Sequence, residues 1–156
     1  VTVAALRIEP VDPCGADALA LLHQAALDAR ALYPEHFAPD APFPTNPPAA
    51  PRSVYLVAYD GTLPVGCAAL RPLAADTAEV RRVFVPAAQR GRGVARRLMQ
   101  RLEDEARALG YQALKLETGH RQQPAMALYR ALGYAPIAAF GPYVDDPTSV
   151  CFGKLL

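Results

Sequence analysis

The sequence predicts a mixed α+β domain: a run of antiparallel strands followed by a strand–helix–strand crossover. Three observations carry that reading. β-rich segments lie between Val54 and Val85, with an Asp60-Gly61 hairpin signal after the first of them. The apolar period changes to that of a helix from Gly93 onward. Two more β-rich runs close the sequence, Tyr134 to Phe140 and Ser149 to Leu155.

The elements follow in order. Val3 to Glu9 alternates as a first strand, and Asp12-Pro13 has the chemistry of an N-cap and first helical residue. Leu19, Leu22, His23, Ala26, Leu27 and Arg30 recur at helical spacing until Tyr33-Pro34 stops them. His23 is read as a structural or partly exposed residue. His36 to Ser53 contains six prolines and no period, which makes it an irregular loop. A loop this long in a small domain is expected to cover a substrate pocket.

Val54 to Tyr59, Leu63 to Arg71 and Ala78 to Val85 form a three-strand meander that Pro86 ends. Val94, Leu98, Leu102, Ala106 and Leu109 make one helical stripe, with Glu103 and Arg107 as an i,i+4 pair and Gly110 as the stop. Gln112 to Thr118 is a strand, and Pro124 opens a short helix that Gly133 ends. Because a helix joins the third meander strand to the next strand, one parallel pairing is expected.

Composition limits the function. The 156 residues suit one domain spanning 1–156, and 52% hydrophobic residues are enough to build a core. A formal net charge of +1 gives no general reason to expect nucleic acid or an anionic membrane as partner. Cys14, Cys67 and Cys151 are too scattered for a disulfide framework or a metal site, so no metal is expected. With no apolar run long enough to span a bilayer and no signal-peptide pattern, a cytoplasmic location is expected.

The informative segment runs from Val83 to Ala95. A strand ends, Gly91 and Gly93 permit tight turning, and a helix begins. The first N–H groups of a helix lack internal partners, and its dipole favours an anion there. Arg90 and Arg92 add positive charge, and the loop has the makings of a pyrophosphate cradle. The dinucleotide fingerprint fails because no third glycine follows Gly91 and Gly93, and the ATP P-loop fails because no GK[ST] follows.

Arg90-Gly91-Arg92-Gly93-Val94-Ala95 resembles the R/Q-x-x-G-x-G/A loop of the GNAT acetyltransferases, in which it binds the pyrophosphate of coenzyme A. The preceding Ala78 to Val85 strand, the following Leu116-Glu117-Thr118-Gly119, and Ala125 to Tyr134 (A-x-x-L-Y-x-x-x-G-[FY]) occur in family order. The resemblance covers essentially the whole chain. It implies a mixed, mostly antiparallel sheet of six to seven strands flanked by about four helices, with acetyl-CoA as acyl donor. The expected acceptor is a primary amine on a small molecule or peptide, and the protein is a monomer or homodimer. Many members carry Asn where this chain has Gln122, which the resemblance places near the cofactor.

Amine acetylation needs a base, a stabilised oxyanion and a protonated leaving thiolate. The resemblance makes Glu79 the first candidate base, the competing reading being an ion pair with Arg81 or another strand arginine. Glu117 is the second and the loop residue His120 the third. Tyr129 is the candidate general acid, and its ring also suits the core. The backbone N–H of Val83 or a neighbour such as Phe84 is the implied oxyanion donor, and the Val83 and Val85 strand edge would bind pantetheine. Arg96 and Arg97 read as phosphate contacts from the first turns of the helix or as solvated surface residues. Two rival readings are an acyl-CoA-binding sensor of the same fold without turnover, and an arginine-rich nucleic-acid module.

Overall fold

The computed structural model describes residues 5–156. The elements run β1 (Arg7–Pro10), α1 (Ala16–Leu32), β2 (Val54–Asp60), β3 (Leu63–Pro72), β4 (Thr77–Phe84), α2 (Val94–Ala108), β5 (Ala113–Gly119), α3 (Gln123–Ala131), β6 (Ala135–Ile137) and β7 (Ser149–Leu155). The seven strands form one sheet in the order β1-β2-β3-β4-β5-β7-β6. Every pairing is antiparallel except β4 with β5, which is parallel. The predicted first strand is found later and shorter, and its Val3 and Ala4 lie outside the described residues.

Three α-helices are present among the described residues, one fewer than the family resemblance implied. Between Leu32 and Val54 only a 3-10 turn, Pro34–His36, forms. Proline removes helix donors throughout the remainder of that segment. The start of α1 also differs from expectation. Asp12 does not cap it, because its Oδ1 accepts from the Cys14 N–H at 2.9 Å and its carbonyl accepts from Gly15 N. The helix therefore begins three residues later, with Gly15 as N-cap. The hairpin turn lies at Gly61-Thr62, with Asp60 paired to Leu63 and Gly61 at φ 62°.

Two helical layers sandwich the sheet. On one face α1 sets Ala18 and Leu21 against Tyr55, Val57, Cys67 and Ala69. On the other, Val94, Leu98, Leu102 and Ala106 of α2 meet Leu56, Leu70, Leu116 and Phe152. Each leucine buried in this way contributes about 1.5–3 kcal/mol relative to exposure. Met126 and Tyr129 of α3 join the α2 layer. Gly66 of β3 fixes the depth of α2: a Cβ there would stand 3.0 Å from both Val94 Cγ1 and Leu98 Cδ1. The missing side chain lets the first turns of α2 sit close on the sheet.

Glu103, on the buried side of α2, is only 5% exposed. Its carboxylate accepts from Lys154 Nζ at 2.8 Å and from the Tyr134 hydroxyl at 3.0 Å, and lies 3.8 Å from Arg107. The predicted pair with Arg107 is thus the outer part of a larger network that ties α2 to β7.

Candidate functional site

The parallel pairing of β4 with β5 stops at Val80↔Leu116. Beyond it, Arg81 to Phe84 and Glu117 to Gly119 have no rungs between them, and the sheet opens into a wedge. The register places Arg81 and Glu117 level with each other at its apex. One residue later β4 bulges, spending Arg82 and Val83 opposite Ala68, between Ala69↔Arg81 and Cys67↔Phe84. Arg82 takes φ 58°, a conformation that a side chain other than glycine rarely adopts. Its guanidinium is held by Asn46 Oδ1 at 3.1 Å and the Thr45 carbonyl at 3.3 Å. Burial, and then the neighbouring Arg81, depress its affinity for the proton. Two residues from the bulge, Val85 is buried.

The glycine loop follows. After the 3-10 turn Ala87–Gln89, Gly91 and Gly93 both adopt φ 77°, and Gly93 is the N-cap of α2. Among the described residues no side chain caps that helix, which leaves its leading amides, at Val94, Ala95 and Arg96, without a side-chain cap. The arginines divide in role. Arg90 braces the loop, donating from Nε to the Val85 carbonyl at 2.8 Å and from Nη2 to Asp28 of α1 at 2.9 Å. Arg92 bonds Gln89 and lies 3.7 Å from Asp60, while Arg96 is exposed at the helix head.

Across the wedge, Gln122 is the exposed N-cap of α3 and its carbonyl accepts from Met126 N at 3.1 Å. Tyr129, about two turns on, is 5% exposed and packs near Tyr134 and Phe152, with ring centroids 6.0 and 6.2 Å away. Burial, followed by the nearby Glu117 charge, pushes its phenol well above the ordinary tyrosine range.

The two carboxylates of the site stand in different environments. Glu79 is 2% exposed. Its Oε1 accepts from Arg71 Nε at 3.1 Å and Nη2 at 2.9 Å, its Oε2 accepts from the Tyr143 hydroxyl at 2.8 Å, and Arg81 lies 3.9 Å away. Burial and this bond push the Tyr143 phenol up to about 12. Glu117 is half-buried, and its Oε2 accepts from Ser149 Oγ at 2.6 Å. Burial raises its pKa, with the Ser149 bond pulling the other way. His120, the third candidate base, is exposed and bonds only the Thr148 carbonyl through its ring, at 3.3 Å.

Arg71, Tyr143, Asn46 and Ser149 were not read as site residues from the sequence. Only the β3–β4 register, which opposes Arg71 to Glu79, and the β5–β7 register reveal two of them. Tyr143 stands in a 3-10 turn after β6 and Asn46 in the proline-rich loop, where no period marks them. Among the described residues no group of three or more potential metal ligands occurs, and no helix is long and apolar enough to cross a membrane.

Known proteins share both sequence and fold. The Acetyltransferase (GNAT) family profile matches residues 21–134. An "IAA acetyltransferase" of Azospirillum brasilense is 46% identical over 112 residues, covering 69% of this chain and 71% of that protein. Among solved structures, an assigned acyl-CoA N-acyltransferase from Klebsiella pneumoniae superposes with a TM-score of 0.79 at 32% identity, covering 98% of this chain and 99% of the other. A Bacillus subtilis acetyltransferase solved in complex with CoA has a TM-score of 0.69 at 19% identity, over 97% and 99% of the chains, which shows a shared fold.

Proposed function

Because this chain belongs to the GNAT acetyltransferase family and is an acyltransferase, we propose that it moves the acetyl group of acetyl-CoA to a primary amine by direct attack in a ternary complex. The observation that carries the reading is the uncapped head of α2 at Gly93, beside a wedge where β4 and β5 part. The amides of Val94 and its neighbours take the pyrophosphate, with Arg92 and Arg96 adding charge. The Val83–Val85 edge receives the pantetheine arm in the manner of an added strand. Gln122, at the head of α3, borders the same cleft. That a neighbour of the same fold was solved in complex with CoA supports CoA as the ligand class.

In the proposed reaction the amine nitrogen attacks the thioester carbonyl carbon, forming a C–N bond. The developing oxyanion takes the amide N–H of Val83 at the bulge. The C–S bond then breaks, and the thiolate accepts a proton from the Tyr129 hydroxyl, which burial keeps protonated at rest. The proton lost by the amine goes to a carboxylate. Glu79 was the first candidate, yet Arg71 and Tyr143 occupy both its oxygens. Glu117 suits the task better: it stands level with Arg81 at the open wedge, and burial holds its pKa above the ordinary carboxylate value. Glu79 then positions Arg71 and Tyr143. Release of free thiol from acetyl-CoA, screened over a broad panel of amines, tests the reading. Binding of CoA without release from any amine would favour a sensor of the same fold.

A further inference from the structure

A cavity of about 460 Å³ lies beneath the proline-rich segment. Pro47, Pro48 and Ala50 roof it, and Tyr55 and Ala69 of the sheet form its apolar floor. Three arginines, Arg71 of β3 and Arg81 and Arg82 of β4, also line it. Only one carboxylate, Glu105, lines the cavity among the described residues, and it is already paired with Arg101 at 2.9 Å. Glu79 neutralises Arg71 from below. Glu79 also lies 3.9 Å from Arg81, while Arg82 has no carboxylate partner among the described residues, so three guanidiniums share one buried carboxylate and this part of the lining stays net positive.

Their guanidiniums retain donors. Arg81 contacts Tyr143 at 3.4 Å and Glu79 at 3.9 Å through Nη1, and its Nε and Nη2 have no protein partner among the described residues. Arg82 uses Nε and Nη2 on Asn46 and Thr45, leaving Nη1. A cationic amine with no other charge would be repelled here. An anion with two oxygens would be held.

The register links these arginines to the wedge. Tyr55↔Ala69 and Ala69↔Arg81 are direct pairs, and Arg81 is level with Glu117, so these residues form one row across the sheet. Paired strands stand about 4.8 Å apart, and β4 and β5 part beyond the Val80–Leu116 rung, so the gap from Arg81 to Glu117 is the open one. Apolar cavity, guanidinium and proton acceptor therefore follow one another in that order. We infer that the acceptor is a free amino acid with an apolar side chain, its carboxylate on Arg81 and Arg82, its amine toward Glu117 and its side chain under the proline-rich segment. A cavity of this size accommodates such a side chain. The assignment rests on the acetyl-transfer reading for the direction of the amine, but its charge logic stands on the arginines alone.

The test is calorimetric titration of the full chain, saturated with CoA, using two matched pairs: L-leucine with 3-methylbutylamine, and L-phenylalanine with 2-phenylethylamine. Each amino acid is expected to bind at least about tenfold more tightly than its decarboxylated partner. Arg81→Gln is expected to erase that difference. The wild-type comparison alone decides the matter if the variant folds poorly. Equal or tighter binding of the amines, or no binding by any of the four, overturns the inference. Thiol release separates the two readings: carboxylate-selective binding without release sinks transfer and keeps the amino-acid site. Release at equal kcat/KM from both members of a pair does the reverse.

Discussion

Ser149 Oγ donates a 2.6 Å hydrogen bond to Glu117 Oε2 diagonally between β7 and β5, where Ser149 pairs with Gly119 and Glu117 with Cys151. The bond opposes burial: desolvation disfavours the Glu117 carboxylate, and the hydroxyl stabilises it. Between them they set the pH at which this group can accept a proton.

Rate against pH reports that balance. A base works only when deprotonated, so kcat/KM should fall as pH drops through the raised pKa of Glu117. The acid limb should lie above the ordinary carboxylate value. Ser149→Ala removes the group that lowers the pKa and should move the limb to higher pH. Glu117→Gln should cost about 100-fold in kcat and abolish the limb. A Glu79→Gln enzyme that loses the limb instead would transfer the role to Glu79.

Gly93 provides the test of the anion site. Saturating CoA at about 100 times its Kd should stabilise the fold by about 2.7 kcal/mol, or about 5–10 °C in melting temperature. Gly93→Glu places a carboxylate at the uncapped helix head and a side chain at φ 77°. The variant should melt lower without ligand and show no CoA shift in thermal denaturation. A preserved shift would remove the pyrophosphate from this loop.

Tyr129→Phe keeps the ring that packs near Tyr134 and Phe152 and deletes the hydroxyl. Turnover should fall by about 100-fold while the Kd for acetyl-CoA stays within about twofold. Single-turnover kinetics with a fast acceptor would show the loss in the chemical step. Unchanged turnover would leave Tyr129 as a core residue.

Glu103 is a structural counterpart. Glu103→Ala would leave the Lys154 ammonium and the Tyr134 hydroxyl without their carboxylate partner. Because Lys154 is partly exposed, the expected loss is about 2–3 kcal/mol rather than the upper range for buried pairs. Urea denaturation measures it, with Glu103→Gln losing less.

Periodicity and punctuation made much of this architecture readable. β7 has the predicted bounds, α2 carries its stripe inward, and Gly110 and Gly133 stop their helices at φ 85° and 92°. Those features depend on local chemistry. The start of α1 was misread because Asp12 spends its carboxylate on Cys14 N, a choice that propensity does not reveal. β6 is three residues long, where the apolar run suggested seven, because only Ala135 to Ile137 find partners on β7. Local chemistry marks the candidate site at the glycine loop, and Glu79, Glu117 and Tyr129 enter it only through the family resemblance. The partners of Glu79 come from positions 71 and 143, and the clasp on Arg82 comes from positions 45 and 46. Such meetings are set by tertiary packing.

The four-rung parallel seam has a mechanical consequence. Among the described residues it is the one strand pairing that joins the half-sheet β1–β4 to the half-sheet β5–β7. Load that pries the halves apart concentrates on the Val80–Leu116 rung. The Glu103–Lys154 ion pair fastens α2, which packs on the first half, to β7 of the second, and so adds a tie between the halves outside the sheet's own hydrogen bonds.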